Sequence, residues 1–331
     1  MGENQSQYSS KNYCFIAPLE FLQLDVGKET CVPIMPGLFF RTDVKAILGR
    51  FGAGFPNAVG ALEHESLLRT KVVAFGECPK ESMPEMQPQQ FIQIIYLWLR
   101  PFLRSLWLIK DHSINVGNSF AIGGLETPNM AISSNYMTDR FSRVGCDISP
   151  TIFSADEISE AIRIHIRLET YLYAKNSGDI HFMMDKTFSR IGRAIQFVQA
   201  ARSSPNAAFR VAHYCSAFET LFSTDLNEIS HRLSERVAYF SATNVINKRD
   251  IYRKLKRAYN IRSKVTHGDV LSPKQIEELP LVSADCDAIL RQCLKKIILD
   301  DRYTAVFDSK NEDLEEFFFQ LLFPDTEKIA E

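Results

Sequence analysis

Arg262 and His267, in the stretch NIRSKVTHGD, are the two side chains on which chemistry could rest. An arginine is charged at every physiological pH and offers a planar fork of donors to an oxyanion. A histidine titrates near neutrality and can take or give a proton. Together they could stabilise negative charge building in a transition state while a proton moves.

The helix that must carry them is NKRDIYRKLKRAYNIRSKVTH, with Asn247 expected as its cap and Gly268 as its stop. With Ile251 as origin and about 100° per residue, Leu255 falls near 40°, Ala258 near −20° and Val265 near −40°. These form an apolar stripe. Arg262 falls at about 20°, in its middle, whereas Arg253, Lys254, Lys256, Arg257 and Lys264 lie on the other side. A charge on a core stripe must be paired or used. His267 would sit about 140° from Arg262 in a continuous helix. Gly268, free to turn the chain out, lets that last residue swing back toward Arg262.

A second anomaly lies upstream. On AAFRVAHYCSAFETLF, Glu219 falls inside an apolar arc, between Ala208 and Ala212. A carboxylate there wants a cation, and both Arg262 and Arg236 are candidates. The same features also fit a core salt bridge with no chemistry attached.

The 331 residues are long enough for one large domain or two ordinary ones, and we expect a boundary near residue 150. The first part holds short apolar runs broken by Pro and Gly, such as CVPIMPGLFF, and reads as a mixed α/β domain. Its LGRFGAGFPNAVG matches neither phosphate-binding glycine pattern and reads as structural turns. From 151 to 331 the texture is all helical, about seven or eight helices marked by caps and stops. Ser154 with Glu157 and Asp225 with Glu228 form capping boxes. Ser204 caps a helix opening at Pro205, Ser272 precedes Pro273, and Pro280 ends the helix between.

The net charge of −2 excludes a global positive field, so any nucleic-acid contact must use a local patch. Seven cysteines without a Cys-x-x-Cys pair read as reduced thiols in a cytoplasmic protein, with no zinc site. His165 and Glu169, four apart, read as an ion pair rather than as metal ligands, and no cofactor is expected. FIQIIYLWLRPFLRSLWLI is interrupted by Gln93, Arg100, Pro101 and Arg104, and reads as a buried, Pro-kinked helix pair rather than a membrane span. The N-terminal Gly2 is not read as a lipidation site, nor the polar start as a signal peptide.

AYNIRSKVTHGD resembles the signature of the HEPN superfamily, an Arg, four to six residues and a His at the end of a helix. AFETLFSTDLNEISHRLSERVAYF, then a basic helix, then YNIRSKVTHGD, is similar to the Apea-like HEPN family, over about residues 155 to 300. The resemblance implies a four- or five-helix bundle with added helices, forming a two-fold homodimer. It implies metal-independent cleavage of RNA, used in prokaryotic phage defence and abortive infection, with a phage-derived trigger or regulatory partner. Arg262 and His267 match the catalytic pair. Glu219, Ser263, Asn260 and Tyr259 are the supporting residues, and Arg253, Lys254, Arg257, Lys264 and Arg236 the expected RNA contacts. Some proteins of this kind are binding modules, so a silent RNA- or protein-binding scaffold is the alternative. A hydrolase or transferase centred on the first domain has no nucleophile elbow, Walker motif or nucleotidyltransferase pattern behind it.

Overall fold

The computed structural model of the chain describes residues 12–79, 87–123, 131–175, 188–225 and 229–323. Gly2, and the Glu228 half of the capping box expected at Asp225, lie outside these. The described chain divides into two compact units. The first runs to Leu106 and includes His112–Arg140 and Ile148–Ile162; the second holds Trp107–Asp111, Phe141–Asp147 and the chain from Arg163 onward.

In the first unit, strands β1 (Asn12–Glu20) and β2 (Leu22–Asp25) are followed by the hairpin β3 (Cys31–Met35) and β4 (Leu38–Arg41). Helices α1 (Val44–Arg50), α2 (Phe55–Val59) and α3 (Ala61–Arg69) come next, then β5 (Val73–Pro79) and the long helix α4 (Pro88–Ile109). β6 (Asn115–Val116), β7 (Ser119–Gly123), β8 (Ala131–Asn135) and β9 (Thr151–Ser154) complete the strands. An antiparallel sheet runs β3-β4-β5-β1-β7-β8, with β6 also paired to β1, while β2 and β9 pair in parallel.

The two-residue alternation of β1 sorts its side chains between two layers. Cys14 and Ile16 pack with Ile47, Phe51, Phe55 and Leu67 of the short helices. On the other face Tyr13 and Phe15 meet Phe91 and Tyr96 of α4, with ring centroids 5.9 and 6.3 Å apart. The glycine-rich stretch is indeed structural: Gly52 and Gly60 take positive φ, and Phe51 and Phe55 beside them are core residues.

α4 is one helix rather than a pair, continuous through Pro101. It is long and apolar enough to cross a membrane by length and composition alone, and half of its most apolar stretch is buried inside the protein. The buried Leu99, Phe102, Leu103 and Leu106 flank the proline. Their burial offsets the about 3 kcal/mol that an interior proline costs.

In the second unit, α5 (Ala155–Lys175) enters from the first, and α6 (Arg190–Ser203), α7 (Ala207–Phe222), α8 (Ile229–Ser241) and α9 (Val245–His267) follow. α10 (Pro273–Leu299), α11 (Asp301–Phe307) and α12 (Asn311–Leu322) end the described chain. Helix α7 is the centre, packed by α6, α9 and α10. The whole is mixed α/β with a helical majority.

The box at Ser154 and Glu157 is present: each side chain accepts from the other's backbone N–H, at 3.2 and 2.9 Å. Three other ends differ from expectation. Asn206, not Ser204, caps α7, and Asn244, not Asn247, caps α9, accepting from the Asn247 N–H at 2.8 Å. Pro280 does not end a helix; α10 runs through it, closed at its start by a box between Ser272 and Gln275. The stripe Val282, Cys286, Leu290, Cys293 and Ile297 just beyond is fully buried, and that burial outweighs the one missing hydrogen bond.

Candidate functional site

Helix α9 buries Leu255, Ala258, Tyr259 and Ile261 against α7 and its neighbours. Ile251 and Val265, placed on the stripe by periodicity, are half-buried at its ends. Arg262 lies on the same stripe and is half-buried, with its side chain 29% exposed. Its Nη2 donates to Glu219 Oε2 at 3.2 Å and lies 3.1 Å from Oε1. The cation facing Glu219 is therefore Arg262 and not Arg236. Glu219 sits at the rim of the α7 arc rather than inside it, because the buried side is centred on Tyr214, Ala217 and Phe218. Among the described residues no other hydrogen bond occupies the Arg262 guanidinium, so its remaining donors are open.

Tyr259 is 5% exposed and its hydroxyl donates to the Cys215 carbonyl at 3.5 Å. Burial pushes that hydroxyl well above its ordinary pKa, with the Cys215 thiol and the Glu219 carboxylate adding to the rise. It is a donor at any working pH.

The end of α9 is a Schellman motif. Gly268 is left-handed at φ 74°, its N–H reaching Val265 O at 3.3 Å while the Asp269 N–H reaches Lys264 O at 2.8 Å. A Cβ at Gly268 would meet nothing within 4 Å, so glycine is there for its φ alone. His267 is the last helical residue and is exposed. The helix does not unwind before it, so His267 stays about 140° around the axis from Arg262. No hydrogen bond or ion pair joins the two among the described residues. The expected swing of His267 toward Arg262 does not occur, because Gly268 redirects the chain only after His267.

The remaining expected residues separate into free and committed groups. Asn260, Ser263, Arg253 and Arg257 are exposed on α9. Lys254 is committed to Asp250 and Asp285, at 2.9 and 3.0 Å. Lys264 donates to Gln275 Oε1 at 3.0 Å and to the Val270 carbonyl at 3.4 Å. Arg236, expected as an RNA contact, is committed within the fold. It is 5% exposed, donates to both oxygens of Glu315 at 2.6 and 2.5 Å and to Phe222 O at 2.9 Å, and stacks on Phe318. Arg232 shares Glu315, so the two arginines of α8 tie it to α12. His231 faces Glu235 at 3.4 Å.

A buried charged cluster escaped the sequence reading. Asp287 on α10 is 1% exposed and accepts from Trp107 Nε1 and the Tyr214 hydroxyl, each at 2.8 Å, and pairs with Arg291. Arg202 and Arg210, both fully buried, lie on α6 and α7. Arg210 holds Ser142 Oγ at 2.6 Å and Ser204 O at 2.8 Å, and Arg202 stacks on Phe141. Burial lowers Arg202 to about 10. The face test applied to Arg262 would have found Asp287, which lies on the stripe of Ser283, Cys286 and Leu290. The cluster is enclosed.

Among the described residues no group of three or more His, Cys, Asp or Glu side chains is placed to hold a metal ion. Fold and site together define a mixed α/β protein whose helical unit carries a half-buried Arg–Glu pair and an exposed histidine at opposite sides of one helix end. Set beside family models, curated proteins and solved structures, the chain matches none of them.

Proposed function

We propose that the protein is a HEPN-type endoribonuclease acting in the cytoplasm in antiviral defence, with Arg262 and His267 as its catalytic pair. The observation that carries this reading is Arg262: a cation on a core stripe, reachable from solvent, with one nitrogen anchored on Glu219 and the rest of its fork free. The RNA supplies the nucleophile. Its 2′-OH attacks the adjacent phosphorus and loses its proton to a base; the P–O5′ bond breaks and O5′ takes a proton from an acid. The products are a 2′,3′-cyclic phosphate and a 5′-OH. His267 serves as base or acid, and Arg262 offsets charge on the phosphorane. Because one helix holds Arg262 and His267 apart, we place the working site across a two-fold homodimer, with each copy lending one member of the pair.

Purified protein incubated with total RNA in EDTA should release cyclic-phosphate ends, and a 2′-deoxy substitution at the cut site should block it. His267→Ala and Arg262→Ala should each lower the rate by about a hundredfold or more. The assay is repeated in cells under phage challenge to supply any trigger. Wild type and His267→Ala behaving alike in both settings would remove the enzyme reading. The second reading, a silent RNA- or protein-binding scaffold, is favoured by the separation of Arg262 from His267 within one chain.

A further inference from the structure

The outward face of α9 has an order that extends well beyond His267. At about 100° per residue, Arg249, Arg253, Arg257, Asn260 and His267 fall within an arc of about 80°, opposite the buried stripe. All five are exposed. Among the described residues Arg249, Arg253 and Arg257 have no ion-pair partner, whereas Lys254 and Lys264 on the same helix are committed. The three arginines stand four residues apart, about 6 Å along the axis at each step. That is of the order of the spacing of successive phosphates on an extended strand. From Arg249 to His267 the face runs about 27 Å.

At its far end this face opens into a groove of about 550 Å³ between α8 and α9. Its walls are Tyr239 and Tyr252, and its rim is Lys248, Arg249 and Arg253. Lys248 Nζ stands 4.0 Å over the Tyr239 ring, which is 37% exposed. Glu235 is the acidic residue lining the groove, and it faces His231 on its own helix. The groove therefore carries a surplus of positive charge beside aromatic rings, in a protein whose net charge is −2. Cations that follow a backbone, with rings on which bases stack, are the means by which single strands are held without reading sequence.

We propose that this face is a track for single-stranded RNA: a nucleobase lodges against Tyr239 in the α8–α9 groove, and the following phosphates lie on Arg249, Arg253 and Arg257 as the strand runs toward His267. The track rests on the ribonuclease reading for its destination, but it binds RNA whether or not His267 cuts. It gives the enzyme a requirement for an unpaired segment several nucleotides to one side of the cut.

The test uses the full chain carrying His267→Ala, in EDTA, titrated with a fluorescein-labelled oligouridylate of about twelve nucleotides over a range of salt. Changing Arg249, Arg253 and Arg257 together to Ala should weaken binding more than tenfold at low salt. It should also reduce the slope of log affinity against log salt by about 2, since each phosphate left without its arginine lowers that slope by about 0.7. Tyr239→Ala should cost a further five- to hundredfold and Tyr239→Phe little, because the phenyl ring still stacks. Lys310→Ala, an exposed lysine at the start of α12 that belongs neither to this face nor to the groove, should change little. Thermal melts confirm that each variant folds. A triple variant that binds as tightly as its parent overturns the track, as does competition by polyaspartate equal to RNA charge for charge, which would mark an acidic-protein surface. Binding that depends on the arginines, with cleavage indifferent to His267, keeps the track and refutes the nuclease; the reverse keeps the nuclease and refutes the track.

Discussion

The Glu219–Arg262 pair sets a number that a double-mutant cycle can read. Two unit charges at this separation attract by about 5 kcal/mol at an effective dielectric of about 20. Much of that is repaid as desolvation, and the side chains remain 21% and 29% exposed. The pair thus lies between a surface ion pair, worth about 0–1 kcal/mol, and a buried one, whose breaking costs about 3–5 kcal/mol. We expect a coupling of about 1–2 kcal/mol. The single changes should be unequal. Glu219→Ala leaves an arginine that can turn to water, costing about 1.5 kcal/mol. Arg262→Ala takes the donor from Glu219 Oε2 and the neighbouring cation from Oε1, which is already enclosed without a hydrogen bond, and costs about 2–3 kcal/mol. Urea unfolding of wild type, both singles and the double variant, at constant m-value, closes the cycle. A coupling below about 0.5 kcal/mol, the error of additivity between independent sites, would show that proximity here is not interaction. Arg262 would then need another reason for its place on the stripe.

Two further perturbations probe the frame around the site. Asp287→Ala removes the shared acceptor of Trp107, Tyr214 and Arg291 and should cost about 4 kcal/mol in urea unfolding; Asp287→Asn should lose less, and a loss below about 1 kcal/mol for Ala would contradict the enclosed network. Glu315 is held below its ordinary pKa: burial pushes it up, but the Thr224 hydroxyl and the guanidinium groups of Arg236 and Arg232 outweigh burial. Its contribution is present above the unfolded value of about 4.3 and is lost as pH falls through the lower folded value. Glu315→Gln should therefore flatten the melting profile between about pH 5 and 3, and an unchanged acid limb would dismiss the clamp.

The helices from residue 155 onward were legible because their determinants are local: a cap, a period and a stop within one segment. The errors came where distant residues decide. Asn244 outcompetes Asn247 by one side-chain hydrogen bond, a shift of a few residues that composition does not resolve. Pro280 looked like a stop because the local rule is correct; the burial that overrides it comes from other helices. Arg236 looked available because its fate is set by Glu315, 79 residues away. The same face arithmetic that singled out Arg262 also placed His267 on the far side. The Gly268 turn acts one residue too late to change that. The sheet order of the first unit joins strands from β1 to β8, and no short window of sequence holds that information.

The separation of Arg262 from His267 makes the assembly of the site testable without a structure of the complex. If each centre takes Arg262 from one copy and His267 from the other, the two inactive variants are inactive for complementary reasons. A mixed dimer of Arg262→Ala with His267→Ala then has one centre with neither group and one with both. Random exchange makes about half of the dimers mixed, each with one working centre of two, so the mixture should recover about a quarter of wild-type activity. Each variant alone should stay about a hundredfold or more below wild type. The variants are mixed, exchanged by brief warming, and assayed on the same RNA in EDTA, with exchange verified by mass-tagged copies. Both pairs acting within single chains would give no recovery, since every mixed dimer would hold two broken pairs. A verified mixed dimer without activity, beside an active wild type, would therefore refute the shared site while leaving the chemistry of the two residues in place.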